Sequence, residues 1–253
     1  MRTRSSQGNV VDWSVRLAAT TGATAALAHA LPAVTSVSLL RSQLFPQLAG
    51  IGASDHVALT FDDGPDPLST PHFLRLLERR GIHATFFMLG RMARRAPYVV
   101  GQVRDAGHEI GLHGHDHRCL LVRGPGATYD DLARGRDAII AAGGPPPRWY
   151  RPPYGVLTTG ALVAAARLGL SPVLWTAWGR DWSRRATPTS VMRTVARDLR
   201  GGGTVLLHDS DCTSAVGSWR NTLSALPHLL DHCDGHKWTV GPLRDHEIPE
   251  QNR

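Results

Sequence analysis

From about Ser54 onward, the sequence alternates short apolar segments with longer amphipathic ones, and this alternation leaves few folds open to the chain. A strand followed by a helix, repeated six or seven times, is typical of parallel strands joined by helical crossovers. We therefore predict an α/β domain. The predicted strands lie in the apolar segments 56–61, 83–89, 108–113, 148–151, 171–175 and 203–208, with 237–241 as a candidate seventh.

Three of the segments between the predicted strands carry helix signals at their ends. Residues 71–80 place four apolar side chains on one side, and Gly81 follows them as a helix stop. Residues 129–144 begin with acidic residues and end with glycines, a polarity that the helix dipole favours. Residues 187–203 begin with Thr-Pro, a capping residue followed by a proline in the first turn.

Polar side chains capable of chemistry stand at the carboxyl ends of five predicted strands. In a barrel these ends converge on one rim, whereas a doubly wound sheet concentrates its ligand residues near one switch point. The even distribution predicts a barrel that forms a single domain over residues 54–247, with a tail at 248–253. The strand-end groups are Asp62 with Asp63, His113, Arg151, the residues from Trp175 onward, and His208.

Residues 1–53 differ in composition from the rest of the chain. Residues 17–40 contain no Lys, Arg, Asp or Glu, and Ala-His-Ala at 28–30 has the form of a signal-peptide cleavage site. However, Asp12 crowds the apolar part and Pro32 interrupts it. We predict an N-terminal extension that packs loosely, with a weak signal or membrane anchor as the alternative.

The net charge of +7 comes almost wholly from arginine, since the sequence contains a single lysine. No arginine-rich block with interleaved aromatic residues occurs, so the charge predicts a solvated basic surface and no nucleic-acid partner. The three cysteines form no C-x-x-C pair, which argues against a cysteine-built zinc site.

The densest cluster of candidate ligands is the histidine-rich sequence GLHGHDHRC. If the strand continued through it, His113, His115 and His117 would share one face. If the chain turns after His113, then His113 and His117 come together, as residues four apart do. Two neutral imidazoles and one carboxylate form a common zinc site with an open position.

Either Asp62 or Asp63 is able to supply that carboxylate. A turn at Gly64 requires only one of the two acids, so the second is unexplained by the backbone. A metal site gives both a use, because one carboxylate ligates the ion and its neighbour accepts a proton.

Three other stretches carry candidate site residues. The paired prolines after Arg151 form a stiff turn that fixes the direction of Arg151 and of the Tyr154 amide. Asp181 and Trp182 place a carboxylate beside an indole large enough to wall a sugar-sized pocket, and His208 ends a strand. The sequence contains no G-x-S-x-G elbow and no phosphate-binding loop.

Taken in order, these stretches resemble the five motifs of the polysaccharide deacetylase family, carbohydrate esterase family 4, also described as the chitooligosaccharide deacetylase homology domain. The resemblance covers residues 57–208 and implies a distorted (β/α) barrel with fewer than eight strands, which agrees with about seven parallel strands. The matching residues are Thr60 to Pro65, His113 to His117, Arg151 to Gly155, Asp181 with Trp182, and Leu206 to His208.

The resemblance also implies a role for each motif residue. Asp63, His113 and His117 are expected to bind a divalent metal, usually zinc, with cobalt or nickel as alternatives. Asp62 is expected to act as the general base and His208 as the general acid.

The remaining roles support this centre. Arg151 is expected to hold Asp62, Asp181 to tune the pKa of His208, and the Tyr154 amide to stabilise an oxyanion. Trp182, Leu206 and Pro153 are expected to line the acetyl pocket.

The implied reaction removes N-acetyl groups from an aminosugar polysaccharide such as peptidoglycan or a chitin-like glycan, and it releases acetate. An O-acetyl esterase of the same family acting on a xylan-type polymer is one alternative, and a non-catalytic carbohydrate-binding barrel is another. No obligate protein partner is expected. The resemblance suggests an extracytoplasmic or cell-envelope location, and membrane association is left open.

Two positions depart from the family pattern. Gly114 stands where the family usually has Ser or Thr, and so lacks a hydroxyl that would brace the metal loop. Trp178 stands where the fourth motif usually begins with Asp. Neither position is an expected ligand or acid–base group, so we expect activity to survive with altered substrate contacts.

Overall fold

The eight strands of the described chain all run parallel. The structure is a computed structural model that describes residues 7–249, with side chains from Ala19 onward. The strands are β1 (His56–Asp62), β2 (Thr85–Met88), β3 (Glu109–Leu112), β4 (Trp149–Tyr150), β5 (Ser171–Pro172), β6 (Ala177–Trp178), β7 (Thr204–His208) and β8 (Thr239–Gly241).

The strands form one curled sheet in the order β5-β4-β3-β2-β1-β7-β6. Seven strands follow this order, and β8 pairs with the first three residues of β1. The predicted distorted (β/α) barrel with about seven parallel strands is therefore confirmed. Because β1 lies between β2 and β7, its last residue, Asp62, is level with Phe87 on one side and His208 on the other.

Each of the seven predicted apolar segments contains a strand. The eighth strand, β6, was not predicted, because two residues are too few to show an apolar pattern. It nevertheless matters for the site, since it leads into the loop that carries Asp181 and Trp182.

Helices fill the connections between the strands, as the strand–helix alternation predicts. The helices are α1 (Gln7–Ala30), α2 (Ser38–Leu44), α3 (Pro46–Ala49), α4 (Thr70–Arg80), α5 (Gly90–Arg95), α6 (Pro97–Asp105), α7 (Pro125–Ala141), α8 (Thr159–Arg167), α9 (Pro188–Asp198) and α10 (Trp219–Gly235). Short 3₁₀ turns occupy Leu31–Ser36, Leu120–Val122, Pro153–Gly155 and Leu243–Asp245.

The three segments with helix signals form α4, α7 and α9. Helix α9 begins with the expected cap. The Thr187 hydroxyl accepts a hydrogen bond from the Ser190 amide, and the Ser190 hydroxyl accepts one from the Thr187 amide. Helix α7 begins at Pro125, four residues before the predicted start, so the acidic residues at 130 and 131 lie beyond its first turn. This extension by one turn places Asp131 inside the helix.

Strand β1 lies at the centre of the packing and is buried at every position. The ring of Phe61 stacks on Phe86 with centroids 5.1 Å apart and meets the edge of Phe73 at 5.2 Å. A strand covered on both faces reads as a continuous apolar run, which explains why its two terminal acids stand out in the sequence. The core therefore fixes the strand end where the chemistry is expected.

Residues 173–176 join β5 to β6, the two strands at the ends of the sheet order, and the N-terminal segment packs against them. The Leu174 amide donates to the Leu48 carbonyl at 2.7 Å. The Arg41 guanidinium donates to the Trp175 carbonyl and, within its own segment, to the Thr35 carbonyl, each at 2.6 Å. Arg41 is only 1% exposed. We refer to residues 31–50 as the seam segment.

The predicted division into an extension at 1–53, a barrel at 54–247 and a tail at 248–253 stays a prediction. Residues 1–6 and 250–253 lie outside the described residues. Among the described helices, none alone has the length and apolar composition to cross a membrane, and one bent pair, Ala19–Ser36 with Ser38–Leu44 at 92°, meets the test only when taken together.

We expect Arg41→Met to lower the free energy of unfolding by roughly 2–3 kcal/mol, since a hydrogen bond from a charged group contributes about 1.5–3 kcal/mol and buried carbonyls lose their donor. Chemical denaturation measures the change. Arg79→Met on the exposed face of α4 serves as the control. Equal stabilities of the Arg41 and Arg79 variants would contradict a structural role for the seam segment.

Candidate active site

The predicted site residues come together at the carboxyl ends of the strands. They surround an open pocket of about 220 Å³ at the barrel rim. Arg151 and Asp181 lie behind the wall as buried supports. Of the predicted residues, those that line the pocket are Asp62, Asp63, His113, His117, Tyr154, Trp182, Leu206 and His208.

Asp62 ends β1 and is held by a buried arginine. Arg151, which is 0% exposed, donates from Nη1 to Asp62 Oδ1 at 2.8 Å and to the Thr60 hydroxyl at 2.7 Å. Its Nη2 donates to the Leu174 carbonyl at 2.8 Å. The ion pair fixes one carboxylate oxygen of Asp62, and the other lies 3.8 Å from His113 Nε2.

Asp63 follows the strand in a left-handed backbone conformation, with φ at 77°. Aspartate tolerates this region better than most residues. The turn directs its side chain toward His113 and His117, whose Nε2 atoms lie 3.5 and 3.4 Å from Asp63 Oδ1. Asp62 and Asp63 therefore meet different partners although they are adjacent in sequence.

The chain turns after His113, which is the second of the two arrangements considered for the histidine cluster. Gly114 has φ at 85° and His117 has φ at 56°, so the strand does not continue. The turn brings the rings of His113 and His117 to 5.1 Å between centroids. His115 is buried away from the pocket and takes no part in the cluster.

Hydrogen bonding fixes the tautomer of His113. Its Nδ1 lies 2.8 Å from the Arg151 carbonyl, and because a carbonyl only accepts, Nδ1–H is the donor. In the neutral imidazole, Nε2 therefore carries the lone pair, and this atom faces Asp63. Burial, aided by the neighbouring His113 imidazole, lowers the pKa of His117 to about 4, so the His117 imidazole is neutral near pH 7. Neutral imidazoles are the form that ligates metals.

The Asp63 carboxylate is ionised. Burial raises its pKa, but the charge of His208, the electrostatic influence of the His113 and His117 imidazoles and a hydrogen bond from Thr213 outweigh burial and lower the pKa. The Thr213 hydroxyl donates to Asp63 Oδ2, whereas the buried Oδ1 has no hydrogen-bond partner. A buried carboxylate oxygen without a donor requires a compensating positive group.

This donor set fits a divalent metal ion. The ligand atoms of Asp63, His113 and His117 lie within 4.8 Å of one another. Ligands at about 2.0–2.1 Å from a tetrahedral ion are separated by roughly 3.3 Å. The distances from Asp63 Oδ1 to the two imidazole nitrogens, 3.4 and 3.5 Å, are close to that separation.

His208 ends β7 on the other side of Asp63 and pairs with a second carboxylate. Its Nδ1 lies 2.8 Å from Asp181 Oδ1, and Asp181 Oδ2 accepts from the His208 amide and the Thr222 hydroxyl. Burial lowers the pKa of His208, but the charge of Asp181 and its hydrogen bond, with Asp63 and Asp62, outweigh burial and raise the pKa to about 10. The imidazolium directs Nε2–H into the pocket, 3.9 Å from Asp63 Oδ2.

Aromatic side chains wall the pocket. Trp178 lies between Trp175 and Trp182, with ring centroids 5.8 and 4.9 Å away. On another side, the 62% exposed Tyr154 meets the edge of His117 at 4.7 Å. Tyr154 has φ at 60°, inside the stiff turn that the sequence predicts.

The site differs from its sequence-based prediction at a few residues. Pro153 was expected in the pocket wall, but both prolines are buried and it is the adjacent Pro152 that lines the pocket. Thr213 binds Asp63, yet a threonine in a loop carries no signal of such a role. Thr60 was detectable, since it lies two residues before Asp62 on the same face of β1.

Comparisons with known proteins give one consistent result. The sequence model of a family described as "Polysaccharide deacetylase" matches residues 50–173. A chitooligosaccharide deacetylase from a Bradyrhizobium species is 33% identical over 201 residues, which cover 76% of this chain and 91% of that protein. A peptidoglycan-N-acetylglucosamine deacetylase from Bacillus cereus is 36% identical over 178 residues, which cover 69% of this chain and 79% of that protein.

Solved structures give the same result for the fold. A family 4 carbohydrate esterase from Streptomyces lividans, solved in complex with acetate, superposes with a TM-score of 0.67 at 32% sequence identity. The match covers 75% of this chain and 93% of that one. The shared region therefore includes most of the barrel.

Replacing the partner of His208 tests the electrostatics of the site. In Asp181→Asn, we expect the pKa of His208 to fall from about 10 toward or below 6.5, because burial then acts without the opposing carboxylate. Wild-type His208 would keep its proton up to about pH 10, whereas the variant would lose it at lower pH. NMR titration of the imidazole nitrogens in metal-free protein measures the pKa of His208 in the wild type and in the variant, with the surface variant Asp234→Asn as control. An unchanged His208 pKa in Asp181→Asn would show that Asp181 does not raise it.

Proposed function

The chain belongs to the polysaccharide deacetylase family, carbohydrate esterase family 4, and from this we propose that it is a hydrolase that removes N-acetyl groups from aminosugar polysaccharides and releases acetate. The observation that carries the proposal is that Asp62 and His208 lie on opposite sides of the cluster formed by Asp63, His113 and His117. A hydrolase needs a proton acceptor and a proton donor at one centre, and this rim has both.

We assign Asp63, His113 and His117 as the ligands of zinc or another divalent ion such as cobalt or nickel. When bound, such an ion lowers the pKa of a water molecule and polarises a carbonyl oxygen. The fit of the donor set supports the assignment, namely the neutral His117, the oriented Nε2 of His113 and the unpartnered Oδ1 of Asp63.

We assign Asp62 as the general base. As the water oxygen attacks the acetyl carbonyl carbon, one water proton passes to the Asp62 carboxylate. Arg151 holds Oδ1 at 2.8 Å and thereby keeps Oδ2 on the side of the histidines, where the water would lie. A fixed base loses little entropy in the reaction, because its orientation is set before the substrate arrives.

We assign His208 as the general acid. The carbon–nitrogen bond of the amide breaks only if the departing nitrogen receives a proton, and the Nε2–H of His208 supplies it. A pKa raised to about 10 keeps that proton in place near pH 7. Acetate and a free amine leave, His208 regains a proton from solvent, and Asp62 releases the one it took.

The pocket wall suits an acetylated sugar. Leu206 and Trp182 offer apolar surface to an acetyl methyl group, and the Tyr154 amide is our candidate for stabilising the oxyanion. Trp178 replaces the usual aspartate with an indole in the row of three tryptophans. An indole gains from covering the apolar C–H face of a sugar ring, whereas a carboxylate does not.

An acetate-release assay tests the proposal. Chitin oligomers, peptidoglycan and acetylated xylan are each incubated with the full chain as purified, after treatment with a chelator, and after zinc is restored. We expect acetate from at least one N-acetylated glycan, loss of release on chelation, and recovery with zinc. Release from xylan alone would favour the O-acetyl esterase, and no release from any glycan by metal-loaded protein would favour a non-catalytic carbohydrate-binding barrel.

The two aspartates are separable by substitution. In Asp62→Asn we expect turnover to fall about 10²–10⁴-fold, because the proton acceptor is lost, while the protein still binds one metal ion per chain. In Asp63→Asn we expect the metal to be lost. Metal content by elemental analysis and acetate release measure the two effects, and loss of metal from Asp62→Asn would show that the division of roles is wrong.

A further inference from the structure

The loop between the two histidine ligands lacks the hydroxyl that the family pattern would place at its second position. Residues 113–117 include Gly114 at φ 85° and His117 at φ 56°, two residues in left-handed conformations. The Gly90 and Arg91 amides donate to the Gly114 and His115 carbonyls at 2.9 and 3.3 Å, but these bonds leave the amides of His115 and Asp116 in need of acceptors. We refer to residues 113–117 as the metal loop.

A buried carboxylate from α7 contacts this loop. Asp131 is only 2% exposed. Its Oδ2 accepts a hydrogen bond from the His115 amide at 2.9 Å, and its Oδ1 accepts from the Asp116 amide at 3.3 Å. Arg123 supplies the compensating charge, with Nη1 at 3.1 Å from Oδ1. Both amides belong to residues between His113 and His117.

The close approach of α7 depends on glycines. A Cβ atom on Gly135 of this helix would lie 2.9 Å from the Gly114 carbonyl oxygen. A Cβ atom on Gly114 itself would lie 2.9 Å from Asp131 Oδ2. The absence of a side chain at position 114 and the carboxylate at position 131 are therefore coupled, because a larger residue at 114 would press on the carboxylate.

We propose that Asp131 is a positioning residue that holds the metal loop in its ligating geometry and takes the place of the missing hydroxyl at position 114. The inference rests on the proposed metal site. Without the carboxylate, the His115 and Asp116 amides would lose their acceptor, and the loop would reorganise to regain hydrogen bonds. Partners that orient metal ligands typically change metal affinity by about 10–100-fold when removed.

Metal binding to the apoprotein provides the test. Co²⁺ and Zn²⁺ dissociation constants are measured by competition with a chromophoric chelator, and the visible spectrum of bound Co²⁺ reports coordination geometry. We expect Asp131→Ala to weaken binding about 10–100-fold and to alter the Co²⁺ spectrum. Asp131→Asn should fall between Asp131→Ala and the wild type, because its single carbonyl oxygen serves one amide only. Asp137→Asn, at an exposed position on α7, should bind like the wild type.

A double-mutant cycle separates the role in positioning from a purely structural one. Gly114→Ala should weaken Co²⁺ binding in the wild-type background and weaken it less in Asp131→Ala, because the added methyl no longer meets a carboxylate. The backbone strain at position 114 is the same in both backgrounds and cancels. Additive effects in the cycle would overturn the inference, and if Asp131→Ala does not fold, Asp131→Ser supplies the second background, because it also removes the oxygen beside position 114.

The outcomes distinguish this inference from the proposed function. Asp131 variants that bind Co²⁺ as tightly as the wild type, with the same spectrum, would overturn the role of Asp131 and leave the metal site standing. A wild-type chain that binds neither Co²⁺ nor Zn²⁺ would overturn the metal site and this inference together.

Discussion

The fully buried guanidinium of Arg151 is the constraint on which the active site depends. A charge at that depth is tolerated only if every donor finds an acceptor. Its acceptors are the Asp62 carboxylate, the Thr60 hydroxyl and the carbonyls of Val173 and Leu174. The central strand, the fourth strand and the connection between the sheet ends are thus linked to one another by a single side chain, and the orientation of the Asp62 carboxylate, our proposed general base, follows from that arrangement.

Adjacent positions in the sequence acquire opposite electrostatic surroundings. Asp62 meets an arginine, whereas Asp63 meets imidazoles on two sides and a hydroxyl on a third. These surroundings support the proposed division of roles, in which Asp62 takes a proton and Asp63 ligates the metal. His208 gains its proton affinity from a third carboxylate, Asp181, which lies on the side of the ring away from the pocket. Three aspartates with different partners account for the distinct roles assigned at this rim.

The sequence predicts those parts of the site that depend on residue type and order. The alternation of strands and helices predicts the barrel. The polar residues at five strand ends predict that His113 and His208 line the same rim. It does not predict interactions whose partner is the backbone, since every residue offers an amide and a carbonyl. Asp131 was missed for this reason, because its acceptor atoms serve two amides and no residue type in the loop marks them. Strand β6 was missed because two residues carry no periodicity.

The seam segment, like the metal loop, is held by hydrogen bonds to the backbone. The hydrogen bonds of Arg41 go to carbonyl oxygens, at Thr35, Ser36 and Trp175, and the Leu174 amide donates to the carbonyl of Leu48. Since any residue provides a carbonyl, these hydrogen bonds require a particular side chain only at position 41. The spacing between the contacts is fixed, however, by the distances that the arginine must span. Side-chain changes at the exposed positions of the segment should therefore cost little stability, whereas an insertion or deletion between Thr35 and Leu48 should displace the contacts of Arg41.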